Sequence, residues 1–138
     1  MKAEELFVGA IVRVNHDGLC IKKGTIVVVR AVDADDKLIE KGLVGSAHCH
    51  PLDDNQFEGG IWCEYLDPIP LTDEILEKNG FYYDEDRKAY LMGVIFRVKP
   101  ERYGLFSFEI CGCPYPLNTF HQLQHALRLC GIEKEITV

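Results

Sequence analysis

Two prolines two residues apart, in Asp67-Pro68-Ile69-Pro70, stand at the midpoint of a chain of 138 residues and limit what it can fold into. Proline lacks an amide N–H and its ring fixes φ, so neither a central strand nor a helix can run through such a pair. The chain therefore reads as two halves, 1–69 and 70–138. Its length suits either one ordinary domain of about 100 to 150 residues or two half-size modules.

The first half has the rhythm of short strands. From Phe7 to Asn15, Val8, Ala10, Val12 and Val14 alternate with Gly9, Ile11 and Arg13, a period of two. Asn15-His16-Asp17-Gly18 and Lys23-Gly24 are turns by composition, and Thr25 to Val32 is a β-branched run with no helical period. Asp33-Ala34-Asp35-Asp36 turns the chain into a strand from Leu38 to Cys49, bent at Gly42 and Gly45. Pro51 to Gly60 reads as a polar surface loop, and Ile61 to Leu66 returns as a strand. Four or five short, curved strands in about 65 residues predict a small SH3-like β-barrel over 1–69.

The second half, 70–138, reads as an α+β module. Thr72 is an N-cap, Asp73 and Glu74 complement the positive end of the helix dipole, and Asn79-Gly80 is a left-handed stop, so a helix covers about 72–79. Antiparallel strands follow over about 81–110: Phe81 to Tyr83, a long strand from Tyr90 to Val98, and Leu105 to Ile110. Cys111 to Pro116 breaks that pattern. Thr119 and Gln122 form a capping box for a helix over about 119–130, stopped by Gly131, with Phe120, Leu123, Leu127 and Cys130 as its buried stripe. Glu135 to Val138 could add an edge strand. The expected class is α+β, mostly β: an SH3-like β-barrel, then an antiparallel β-meander with two helices. Packing of both modules as one compact unit is left open.

Composition enters through what it excludes. With 47% hydrophobic residues the chain is neither disordered nor collagen-like, and the apolar stretch before Arg13 is too short for a secretory signal or a transmembrane helix. The expectation is a cytoplasmic protein with no membrane association, whose six cysteines are thiols or metal ligands. The net charge is −7, and its acidic excess lies in residues 31–70, with 2 basic and 9 acidic groups. Nucleic-acid binding needs a basic footprint, which survives here only around Arg13, Lys22, Lys23 and Arg30. Nucleic acid is disfavoured, as a weak-binding alternative at most, and a protein or peptide partner is favoured.

The run Pro70-Leu71-Thr72-Asp73-Glu74-Ile75-Leu76-Glu77-Lys78-Asn79-Gly80-Phe81, with the later His121-Gln122-Leu123-Gln124 and a leucine-rich helix ending at Gly131, resembles an uncharacterised family of small bacterial and phage-associated proteins. In that family a variable, strand-rich segment precedes a PLT-x-E-x-L-x-x-x-GF helix, and the chain closes with an HQLQ helix. The resemblance covers about half the chain. It implies a bacterial setting but no activity, substrate, cofactor or catalytic residue.

Several residue sets could carry chemistry. Cys111-Gly112-Cys113 followed by His121-x-x-x-His125 approaches a zinc site, because histidines four apart share a helix face and thiolates could complete a tetrahedron. The spacing is irregular for a finger, and the helical wheel turns both histidines away from the buried stripe. His48-Cys49-His50 with Cys63 is a second cluster, but in a strand Cys49 takes the face opposite His48 and His50. No nucleophile-elbow sequence surrounds any cysteine that might pair with His121 or His125. Asp33-x-Asp35-Asp36 fails as a calcium loop, with Leu38 where glycine and Val44 where glutamate belong. No glycine pattern matches a phosphate-binding fingerprint.

What remains is the aromatic set. Trp62, Tyr65, Tyr82 and Tyr83 are the candidate partner-binding residues, since rigid amphipathic rings on a sheet or barrel rim favour contacts. The sequence reading is a binding or accessory protein with no catalytic residue and no cofactor-binding residue, zinc at Cys111, Cys113, His121 and His125 being the alternative. An aromatic face could equally serve a homodimer.

Overall fold

The computed structural model describes residues 1–2, 5–33, 45–53, 58–93, 96–110 and 113–138. It divides into two compact units, Met1–Ile69 and Pro70–Val138. The described residues are mostly β, forming two five-stranded antiparallel sheets and two α-helices. Among them no helix is long and apolar enough to cross a membrane.

The first unit contains β1 (Ile11–Val14), β2 (Ile26–Asp33), β3 (Ser46–Pro51), β4 (Gly59–Trp62) and β5 (Leu66–Asp67), in the spatial order β4-β3-β2-β1-β5. The period of two turns Ala10, Val12, Val14, Val27, Val29, Ala47 and Cys49 into one buried cluster, completed by Leu6, Ile61, Cys63 and Leu66. The ladder between β2 and β3 shifts at Arg30: Val29 pairs with Cys49, but Ala31 pairs with His48. That extra residue is a bulge, which increases the local twist.

One expected strand is two. Ile61 to Leu66 does not run straight, because Cys63–Tyr65 forms a 3₁₀ turn between β4 and β5. The buried Cys63 donates its N–H to the Gly45 carbonyl (2.9 Å), and the chain turns away directly afterwards. β5 is only two residues long and pairs with β1; among the described residues no ladder joins it to β4, so the sheet is not closed. Asp33, the first residue of the expected turn, is the last of β2, while the rest of that turn and the start of the strand expected from Leu38 lie outside the described residues.

The second unit contains α1 (Asp73–Lys78), β6 (Tyr82–Asp84), β7 (Ala89–Met92), β8 (Phe96–Pro100), β9 (Phe106–Ile110), β10 (Cys113–Pro116) and α2 (Phe120–Leu129). Its sheet is a meander of order β10-β9-β8-β7-β6. The long strand expected from Tyr90 to Val98 is a hairpin, with Met92 paired to Phe96 and Tyr90 to Val98. Gly93, at φ +63°, starts the reversal in a region that side-chain-bearing residues rarely adopt. Cys113–Pro116, expected to lie outside the sheet, pairs with β9 as an edge strand. The prolines at 114 and 116 fit because the inward hydrogen-bonding positions are those of Cys113 and Tyr115, as the period of two requires.

Both helices begin and end where their caps dictate. The Thr72 hydroxyl accepts from the Ile75 N–H (3.2 Å). Thr119 and Gln122 form a reciprocal capping box. The aromatic face of the sheet is packed ring on ring: Phe96 stacks on Phe108 at 4.2 Å, Phe81 meets Phe96 edge-on at 5.7 Å, and Tyr90 meets Phe106 at 6.4 Å. The expected stripe of α2 needs two corrections. Cys130 is exposed, and His121 and Gln124 are buried with Phe120, Leu123, Ala126 and Leu127, so the covered face is broader than the apolar pattern alone. The expected terminal edge strand is also absent: Ile136 is buried, and Thr137 is held by a side chain, that of Asn79.

Candidate functional site

The turn after β1 is tied to the 3₁₀ turn by one residue. The Asn15 backbone N–H donates to the Tyr65 carbonyl (2.9 Å), and its Nδ2 donates to the Glu64 carbonyl (3.1 Å) and to Asp67 Oδ1 (2.7 Å). Asp17 Oδ1 accepts from the Lys23 N–H (2.8 Å), closing the same loop. Held in this way, the His16 imidazole lies nearly flat on the Tyr65 ring, with centroids 4.6 Å apart and planes inclined by 20°. Trp62, one 3₁₀ turn before Tyr65, is 48% exposed. His16 is exposed, while Tyr65 is half-buried and packs its inner side against the core cluster. The result is a pre-positioned stacked pair, His16 on Tyr65, beside the exposed Asp17, Glu64 and Asp67.

Sequence reasoning identifies Tyr65 of this pair, and the exposed Trp62 close to it in sequence, and misses His16 and Asn15. Asn15 and His16 read only as turn formers, and nothing local connects them to a segment some fifty residues away (Asn15 to Glu64 spans 49 positions). Tyr82 and Tyr83 belong to the second unit, where consecutive positions on β6 point to opposite faces. Tyr83 leans edge-on against Tyr90, centroids 5.1 Å apart, and Tyr82 is opposite Leu91. That pair does not present one shared surface.

The cysteine and histidine sets are distributed as follows. Cys111 lies outside the described residues, Cys113 is exposed on β10, His121 is buried in the first turn of α2, and His125 is exposed one turn later. The expectation that both histidines face outward therefore fails at His121, whose ring nitrogen Nε2 is 3.5 Å from Thr119 Oγ1. In β3, His48 is exposed, Cys49 buried and His50 half-buried, the alternation of a strand. Burial, reinforced by Cys63, pushes the Cys49 thiol up to about 12, and burial raises Cys63 as well. Both are protonated thiols at neutral pH, which are poor nucleophiles and poor ligands. Among the described residues no group of three or more His, Cys, Asp or Glu side chains is placed to hold a metal ion. Arg13, Lys22, Lys23 and Arg30 are all exposed.

Compared with protein-family models, characterised proteins and solved structures, the chain has no match.

Proposed function

We propose that the chain is a non-enzymatic binding module that receives a protein or peptide partner on the stacked His16–Tyr65 pair, with the exposed Trp62 as a further contact residue. The observation that carries this reading is the His16–Tyr65 stack, fixed by three hydrogen bonds from Asn15 at an exposed surface. Rings already held in place lose little freedom on contact, and aromatic side chains dominate the energetics of recognition surfaces. The strand order β4-β3-β2-β1-β5, with a 3₁₀ turn before the last strand, supports the SH3-like reading of this unit. Small barrels of that kind use rim aromatics to bind peptides or single strands. A net charge of −7 favours a protein or peptide over a nucleic acid. In the same reading the second unit belongs to the family with the PLT-x-E-x-L-x-x-x-GF and HQLQ helices, on the strength of residues 70–81 and 121–124.

A peptide library selected on the intact chain, and in parallel on Trp62→Ala and His16→Ala, tests the proposal. Peptides retained by the wild type and weakened by about tenfold or more in both variants support it. Equal retention by all three proteins, or substrate turnover by the pure protein through a single Cys or His, overturns it.

A further inference from the structure

We propose that the free edge of β4 is where the partner segment adds to the molecule, as an extended strand with an uncharged centre and basic residues at both ends. The inference rests on the reading of the chain as a protein- or peptide-binding module, and it names the conformation and charge of what is bound.

β4 is the end strand in the order β4-β3-β2-β1-β5, and among the described residues only β3 pairs with it. The Cys63 N–H donates to the Gly45 carbonyl (2.9 Å), which makes these two a hydrogen-bonded pair. Bonded and non-bonded pairs alternate along an antiparallel ladder, so Ile61 with Ala47 and Gly59 with Cys49 are the other bonded pairs. The main-chain groups of Gly60 and Trp62 are thereby turned away from β3. The Trp62 carbonyl belongs to the 3₁₀ turn that this residue caps, which leaves the Gly60 N–H, the Gly60 carbonyl and the Trp62 N–H along the open edge. Such a row of donors and acceptors matches the backbone of an arriving extended segment. Elsewhere β5 has two residues, β6 three, and β10 two prolines, all features of an edge that resists pairing. β4, with the sequence Gly-Gly-Ile-Trp, has neither proline nor charge.

The side chains define the occupant. Gly60 is opposite His48 and two residues from Trp62, so the exposed imidazole and the exposed indole share its face. A Cβ on Gly60 would meet nothing within 4 Å, so a side chain of the added strand has room there. Beyond the ends of β4 stand the exposed Glu58 and Glu64. A second copy of β4 paired about a two-fold axis, Gly60 against Trp62, would set Glu58 against Glu64 and is disfavoured, whereas lysine or arginine at both ends of a partner segment is matched.

The test uses the intact chain and peptides selected on it from a random library, with main-chain amide exchange followed by NMR. A saturating peptide should slow exchange at the Gly60 and Trp62 amides by about tenfold or more and leave the Ile61 amide, already bonded to β3, unchanged. Trp62→Pro suits a residue whose φ is −62° and removes the outward N–H together with the indole. It should bind the peptides about fivefold or more weaker than Trp62→Ala, which loses the indole alone. Replacing both Glu58→Lys and Glu64→Lys should weaken the same peptides by about tenfold. A bound peptide that leaves exchange at Gly60 and Trp62 unchanged overturns the proposal and leaves the binding reading intact. A library that yields no binder overturns both. Exchange at these amides that slows with protein concentration and no peptide makes a second copy the occupant and also overturns the proposal.

Discussion

The two units fill their buried cores with different kinds of side chain. The fully buried cluster of the first is aliphatic and thiol-bearing, built from Val12, Val14, Val27, Val29, Cys49 and their neighbours, while its rings at His16, Trp62 and Tyr65 lie at or near the surface. In the second, Phe81, Tyr90, Phe96, Phe106, Phe108 and Phe120 are all buried and several are in ring contact. In the first unit Phe7 and Tyr65 are only partly buried and pack against the outside of the aliphatic cluster. In the second unit the rings of Phe81, Phe96 and Phe108 pack on one another instead. The second unit thus has a phenylalanine-rich core beside the exposed Tyr82, Tyr103 and Tyr115, whereas the first has no aromatic ring among its described, fully buried residues.

The sharpest test of that contrast is cavity formation. Phe96→Ala should cost about 3–5 kcal/mol and Val29→Ala about 2 kcal/mol, measured by urea unfolding of each variant. Equal losses would mean that the two cores are not built differently. A second test is alkaline. Burial lifts the Tyr90 phenol to about 12, helped by its hydrogen bond to Asp73 and by nearby Asp73 and Glu77, much as burial lifts the Cys49 thiol. Both groups are acids whose folded pKa is raised, so the unfolded chain releases their protons first. The stability they contribute is complete below the unfolded values, near 9 for the thiol and 10 for the phenol, and is lost as pH climbs towards 12.

Urea midpoints followed by the fluorescence of Trp62, the single tryptophan, should begin to fall above pH 9, and Cys49→Ala should reduce the slope. Tyr90→Phe should act on the second unit, from about pH 10. The smallest effect is expected at the surface rings. Trp62→Ala and His16→Ala should change stability by no more than about 0.5 kcal/mol, because neither side chain fills the core. A larger loss would make them structural and would weaken the contrast.

What was legible in the sequence follows the range of the interactions involved. Helix ends are local, and Thr72, Asn79-Gly80, Thr119 with Gln122, and Gly131 mark them correctly. The strands of the first half follow from the period of two, since Ala10, Val12 and Val14 point inward as alternation requires. The hairpin at Gly93 was hidden because Tyr90, Met92, Phe96 and Val98 keep the same parity through the reversal and look like one strand. β10 was hidden by prolines that are compatible with an edge. The candidate site was half legible: a single tryptophan and a nearby tyrosine draw attention, whereas the asparagine that positions their partner acts across the sheet. Asn79 reads as a helix stop, and its second role, holding the main chain at Thr137, depends on a segment nearly sixty residues away (Asn79 to Thr137 spans 58 positions).

The prolines of β10 have a consequence for contact between molecules. Pro114 and Pro116 occupy the positions whose nitrogens would face away from β9, so the outer margin of this sheet offers no hydrogen to an arriving strand there. Another chain that reached this margin would find two of its carbonyls unmatched, and stacking of sheets into fibrils could not start there. The strand that looks like an interruption in the sequence pattern is thus also a guarded edge of its sheet.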